Sequence, residues 1–162
     1  MKYLFTLLSC LAFGCAFAET IQHVEYHLPK AAENWVVGNK LESEKGTTII
    51  YIPPGVERQN AKEFFGVNSN CLTSKNDPAS IKVGLARSFP NMNIDFRVLE
   101  QDKDSIAYEW SAQENGIEKT HGWGRAFSNK DGSVVLGYYT EDISNVPQAR
   151  SIWVQALKEA RQ

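Results

Sequence analysis

Three kinds of cluster are missing from this sequence, and each absence removes a class of function. Beyond residue 20 no apolar run approaches the roughly 20 residues that a membrane-spanning helix requires, so no membrane span is expected. No stripe of Lys and Arg occurs, and acids outnumber bases 19 to 17, which argues against nucleic acid as a partner. Cysteine is scarce: the chain has three, Cys10, Cys15 and Cys71, and the first two fall in the leader described next. A lone Cys71 cannot close an internal bridge, so the fold is expected to stand on packing, with Cys71 as a small buried hydrophobe.

What is present begins with the leader MKYLFTLLSCLAFGCAFAET. A single positive charge at Lys2, an apolar stretch from Tyr3 to Phe17 and the triplet Ala16-Phe17-Ala18 form a secretory signal peptide, with cleavage expected after Ala18. Lipidation of Cys15, as a membrane anchor, is the alternative; Phe13 fits poorly in the short box that would precede it. Residues 1-18 are thus read as a signal peptide and 19-162 as a single α+β domain of 144 residues, with a net charge of −3 once Lys2 is removed.

Along the mature chain, IQHVEYHL alternates and reads as a strand ended by Pro29, and NWVVGNKLES with TTIIYIPPG reads as a hairpin turning near Glu44, Lys45 and Gly46. The spacing of Ala61, Phe64 and Phe65 predicts a short helix over 57–65 closed by Gly66. A second helix runs to Pro90 with Asp77 as cap, Pro78 in its first turn and Ile81, Leu85 and Phe89 on one face. Four alternating runs from residue 92 to 140 predict an antiparallel meander. The last helix is the clearest: Ala149, Ile152, Trp153, Ala156, Leu157 and Ala160 make a continuous apolar stripe, and Asn145 with Gln148 reads as a capping pair. The expected architecture is α+β, an antiparallel sheet of six or seven strands with helices packed on it, including this amphipathic C-terminal helix.

Two stretches, TTIIYIPPGVERQNAKEFF and SVVLGYYTEDISNVPQARSIWVQAL, give this order of elements a layout that resembles the Mog1/PsbP-like fold, over about residues 20–160. The resemblance implies an α+β sandwich. It also implies accessory or partner-binding roles, with no shared catalytic residues to carry over.

Constellations that could carry chemistry are few. His23 and His27 lie four residues apart on a strand, about 13 Å at roughly 3.3 Å per residue, too far for one metal ion to hold both at about 2 Å. No metal or cofactor is therefore expected. His121 is the most central histidine, with Ser111, Ser128 and Cys71 as loose nucleophile candidates, but no nucleophile elbow of the G-x-S-x-G type occurs. Glu141 with Asp142 and Asp102 with Asp104 fall in turns, where they read as solubilising charges. The aromatic residues Trp35, Tyr51, Trp110, Trp123, Tyr138, Tyr139 and Trp153 read mainly as core.

The segment HGWGR divides by the strand period into His121, Trp123 and Arg125 on one face and Gly122, Gly124 and Ala126 on the other. The bare glycine face is expected to seat the terminal helix with Trp153. The opposite row, Lys119, His121, Trp123 and Arg125, is the candidate binding surface, with the 66–77 connection as a further one. The function read from the sequence is a noncatalytic bacterial envelope protein, periplasmic or secreted, that binds a protein partner or a small ligand through a sheet face. The alternatives are a periplasmic hydrolase using His121 and a secreted host-interaction factor.

Overall fold

Strong alternation over residues 93–140 produces four long strands in succession, and they form four adjacent strands of a seven-stranded antiparallel sheet. The computed structural model describes residues 19–21, 24–70, 77–130 and 132–162, with the backbone alone described at 19–21 and 129. The expected signal peptide, the alternative lipid site at Cys15, His23, Cys71 and most of the polar connection before Asp77 lie outside the described residues.

Strands β1 (Glu19–Ile21) and β2 (Val24–Tyr26) form a small separate hairpin. The main sheet contains β3 (Val36–Ser43), β4 (Gly46–Ile52), β5 (Glu63–Asn70), β6 (Asn93–Gln101), β7 (Ser105–Glu114), β8 (Ile117–Asn129) and β9 (Gly132–Thr140). Its order is β3-β4-β5-β9-β8-β7-β6, so the meander β6 to β9 joins the β3 to β5 unit edge to edge through β5 and β9. The β7–β8 turn is Asn115-Gly116, both at positive φ, as a two-residue hairpin with the sheet's twist requires.

Helices α1 (Pro78–Ser88) and α2 (Val146–Glu159) cover opposite faces of the sheet. Asp77 caps α1 as expected, its Oδ1 accepting from the Ser80 N–H at 3.0 Å. Ile81, Leu85 and Phe89 then pack against Tyr108, Trp110 and Tyr139. On the other face α2 buries Ala149, Trp153 and Leu157. Trp153 stacks on Tyr138 at 4.4 Å and on Phe65 at 5.2 Å between ring centroids, and Trp35 closes over it at 5.4 Å. Aromatic rings of this size contribute large buried areas, so this stack anchors the helix. Among the described residues no helix is long and apolar enough to cross a membrane.

Four local expectations change. IQHVEYHL is not one strand, since Ile21 ends β1 and Val24 opens β2, which pairs back on it. Residues 57–65 do not form a helix: a 3-10 turn at Arg58–Asn60 leads into strand β5, which begins at Glu63. The reason lies in Phe64 and Phe65, which point to opposite faces, Phe65 into the α2 core and Phe64 stacked on Tyr139 at 4.7 Å. A central strand covered on both faces carries apolar residues on consecutive positions, which imitates a helical spacing. Asn145 makes no side-chain cap bond, because the 3-10 turn Ile143–Asn145 runs straight into α2 and holds Asn145 in helical conformation.

The fourth change concerns HGWGR. The faces divide as expected, but α2 does not sit on the glycines. It sits on the Trp123 side, and the glycine side is filled by the neighbouring strand. A Cβ on Gly122 would meet the Trp110 ring at 2.6 Å, and one on Gly124 would collide with the Tyr108 ring. The two rings of β7 lean across β8 and leave no room there for a helix.

Candidate functional site

The α2 face of the sheet is apolar from β4 to β8 and changes character at β6 and β7. The register places Arg97 opposite Glu109, Asp95 opposite Ser111 and Ser111 opposite His121, so strict alternation lines these polar residues up on one face of three adjacent strands. Helix α2 ends its cover short of them and contributes only Arg150. The result is a polar cleft of about 310 Å³, walled by Asp95, Arg97, Glu109, Gln113, Glu118 and His121.

Glu109 is its centre. Its side chain is 11% exposed and is held by two arginines and a histidine: Arg97 pairs with Oε2, while His121 Nε2 and Arg150 Nε approach Oε1 at 3.1 and 3.4 Å. Burial on its own pushes the Glu109 pKa up. The hydrogen bonds from Arg97 and His121 and the nearby Trp123 indole outweigh that and hold it down, to about 2. Among the described residues the Trp123 indole N–H is buried without a hydrogen-bond partner, near enough for its dipole to favour the charged carboxylate but outside bonding geometry.

His121 is fixed from both sides. Its Nδ1 lies 2.6 Å from Glu118 Oε1, its Nε2 faces Glu109, and its ring packs on Trp123 at 4.6 Å. Glu118 can reach it because β8 carries a bulge: Gln113 pairs with Glu118 and Ala112 with Thr120, which leaves Lys119 as the extra residue. Both ring nitrogens face carboxylates, Glu118 at Nδ1 and Glu109 at Nε2, which orients the ring along the wall of the cleft. Glu109, so readily ionised, is a weak base near neutral pH. The arrangement suits recognition by fixed charges. Arg97 and Arg150, with side chains 64% and 46% exposed, present guanidinium groups at its rim.

The candidate row read from the sequence is therefore dispersed. His121 lines the cleft, and Lys119 is exposed at the bulge beside it. Trp123 is fully buried beneath α2, where it stacks on Tyr138, and has no surface to offer. Arg125 caps the end of α2: its guanidinium donates to the carbonyls of Leu157 at 3.4 Å and Lys158 at 3.2 Å and to Ser105 Oγ at 3.0 Å. One face of a strand is a single row only until a helix lies across it. Arg97, Glu109, Glu118 and Arg150 were missed by sequence reasoning because they sit on four different elements. The one available signal was charge inside an otherwise apolar strand, Glu109 between Tyr108 and Trp110.

No protein-family model and no curated protein matches this chain. Among solved structures, cyanobacterial PsbP (CyanoP) from Synechocystis superposes with a TM-score of 0.62 at 12% identity, over 96% of this chain and 98% of that one. The fold is PsbP-like. LpqN, described as involved in cell envelope biogenesis in Mycobacterium tuberculosis, superposes with a TM-score of 0.47 at 14% identity, over 85% of this chain and 81% of that one. That superposition is too loose to carry argument. The PsbP-like likeness itself lies in the order and packing of elements. At 12% identity it transfers no residue of the cleft, whose chemistry rests on this chain alone.

Proposed function

We propose that this protein is exported across the bacterial inner membrane, cleaved after Ala18, and acts in the periplasm or outside the cell as a noncatalytic binding protein of one domain, residues 19-162. Its binding surface is the polar cleft, and its partner is a protein or small ligand with charged groups of its own. The leader sequence supports export. The observation that carries the binding reading is Glu109, one-tenth exposed, held charged by Arg97, His121 and Arg150 at the floor of an open cleft. A charged site pre-arranged in this way selects a complementary polar surface, because misplaced charges are costly once water is removed. His121 contributes as a fixed hydrogen-bonding wall and Lys119 as a charge at its margin.

A photo-crosslinking residue placed at Gln113, inside the cleft, tests this in an envelope extract, with the same residue at Lys82 on exposed α1 as control. A defined adduct from position 113 that is absent from position 82 and lost in Arg97→Glu is the expected result. Adducts that ignore Arg97→Glu, or that form equally from both positions, would sink the reading.

A further inference from the structure

The opposite face holds a second cavity of different chemistry. Between α1 and strands β4, β5 and β9 lies a groove of about 360 Å³ with Phe64, Phe89, Tyr139 and Ile50 among its walls and no charged side chain among the described residues lining it. Its floor is bare backbone: Gly66 pairs with Gly137, and Gly137 pairs with Gly124, so three glycines form a strip across β5, β9 and β8. Gly124 is explained by the Tyr108 ring lying on it. Gly66 and Gly137 are not explained by packing, since a Cβ would meet nothing nearer than 3.9 Å at Gly66 and 3.6 Å at Gly137. Neither has a φ that demands glycine, and glycine inside a strand sacrifices stability.

A second observation points at the same space. Tyr108 is 5% exposed and lines this groove, and its hydroxyl has no hydrogen-bond partner among the described residues. The tip of its ring lies above Gly124, which puts that hydroxyl about one strand spacing, roughly 5 Å, from Gly137. The hydroxyl reaches the surface of the groove, where a bound molecule can accept its hydrogen bond in place of water. Burial pushes the phenol pKa up, so the group stays a proton donor at neutral pH.

We propose that the groove binds a small, planar, uncharged and mainly apolar molecule that bears a carbonyl oxygen. Its flat body lies on the Gly66 and Gly137 strip beside the stacked Phe64 and Tyr139 rings, and the carbonyl accepts a hydrogen bond from Tyr108 Oη. Bare backbone admits a flat molecule closely, and the aromatic walls meet its edges. This site is independent of the polar cleft, which lies on the other face.

The test uses prodan, a neutral naphthyl ketone whose emission shifts to the blue in apolar surroundings, titrated against the purified protein. Saturable blue-shifted emission is expected. Tyr108→Phe keeps the ring and removes the donor, and should weaken binding about tenfold. Gly137→Val should abolish binding while leaving Tm unchanged or raised, because among the described residues a Cβ there meets nothing nearer than 3.6 Å and β-branched residues suit strands. Absence of saturable binding, binding indifferent to both variants, or a fall in Tm for Gly137→Val overturns the proposal.

Discussion

At the scale of single residues, Glu109 and the glycines of β8 show how neighbours decide a role. Glu109 has its pKa lowered from an ordinary 4.5 to about 2, so its interactions stabilise the folded chain above pH 4.5. That contribution is lost as pH falls from about 4.5 towards 2, where protonation dissolves the pairing. Glu109→Gln should cost about 1 kcal/mol at neutral pH, because it replaces charge-assisted bonds to the half-exposed Arg97 and Arg150 by weaker neutral ones that water can partly substitute. It should also flatten the acid limb of stability across that window, as denaturant melts at a series of pH values will show. Gly122→Ala, whose new Cβ would press on the Trp110 ring at 2.6 Å, should cost about 1–3 kcal/mol by overpacking. The contrast with Gly66 and Gly137, where the same change has room, is a test of the packing account within one sheet.

At the scale of elements, α2 depends on both its apolar stripe and its end. Its last carbonyls meet Arg125, whose guanidinium also lies over the Phe127 ring at 5.1 Å. A cation at a helix C-terminus in a partly buried setting contributes up to about 2 kcal/mol. Arg125→Ala should therefore lower stability by about 1–2 kcal/mol, measured by urea denaturation. Lys should restore little of it, since a single ammonium cannot serve two carbonyls and a serine hydroxyl at once. Strand β5 carries the complementary lesson. Its two adjacent phenylalanines serve two cores, and no local pattern distinguishes that from a turn of helix.

At the scale of the whole molecule, the sheet separates two chemistries. Charged groups gather on the α2 face where the helix ends its cover, and an apolar groove opens among the described residues on the α1 face, beside β4, β5 and β9. Variants in the two places share no partner, so Glu109→Gln and Gly137→Val should combine with stability changes that add to within about 0.5 kcal/mol. A coupling larger than that would mean that the sheet transmits strain between its faces. Export can be checked directly. Mass spectrometry of the protein recovered from the envelope or medium should give a chain beginning at Glu19, whereas a lipid-bearing N-terminus at Cys15 would establish the anchored alternative.

Hydropathy and spacing were enough for the meander, both helices and the division of HGWGR into two faces, because strand alternation and helical stripes are properties of consecutive residues. The Asp77 cap was legible for the same reason: donor and acceptor are three residues apart. The helix expected at 57–65 and the free row at Lys119, His121, Trp123 and Arg125 failed where neighbours distant in sequence intervene. Period alone says which residues share a face, but not what lies over it. Tyr108 and Trp110 leaning across Gly124 and Gly122 decided that α2 would take the other side, and that choice buried Trp123 and turned Arg125 into a helix cap. It left His121 at the margin, where Arg97, Glu109 and Arg150 from three other elements complete a charged cleft that only the paired register of the strands could assemble.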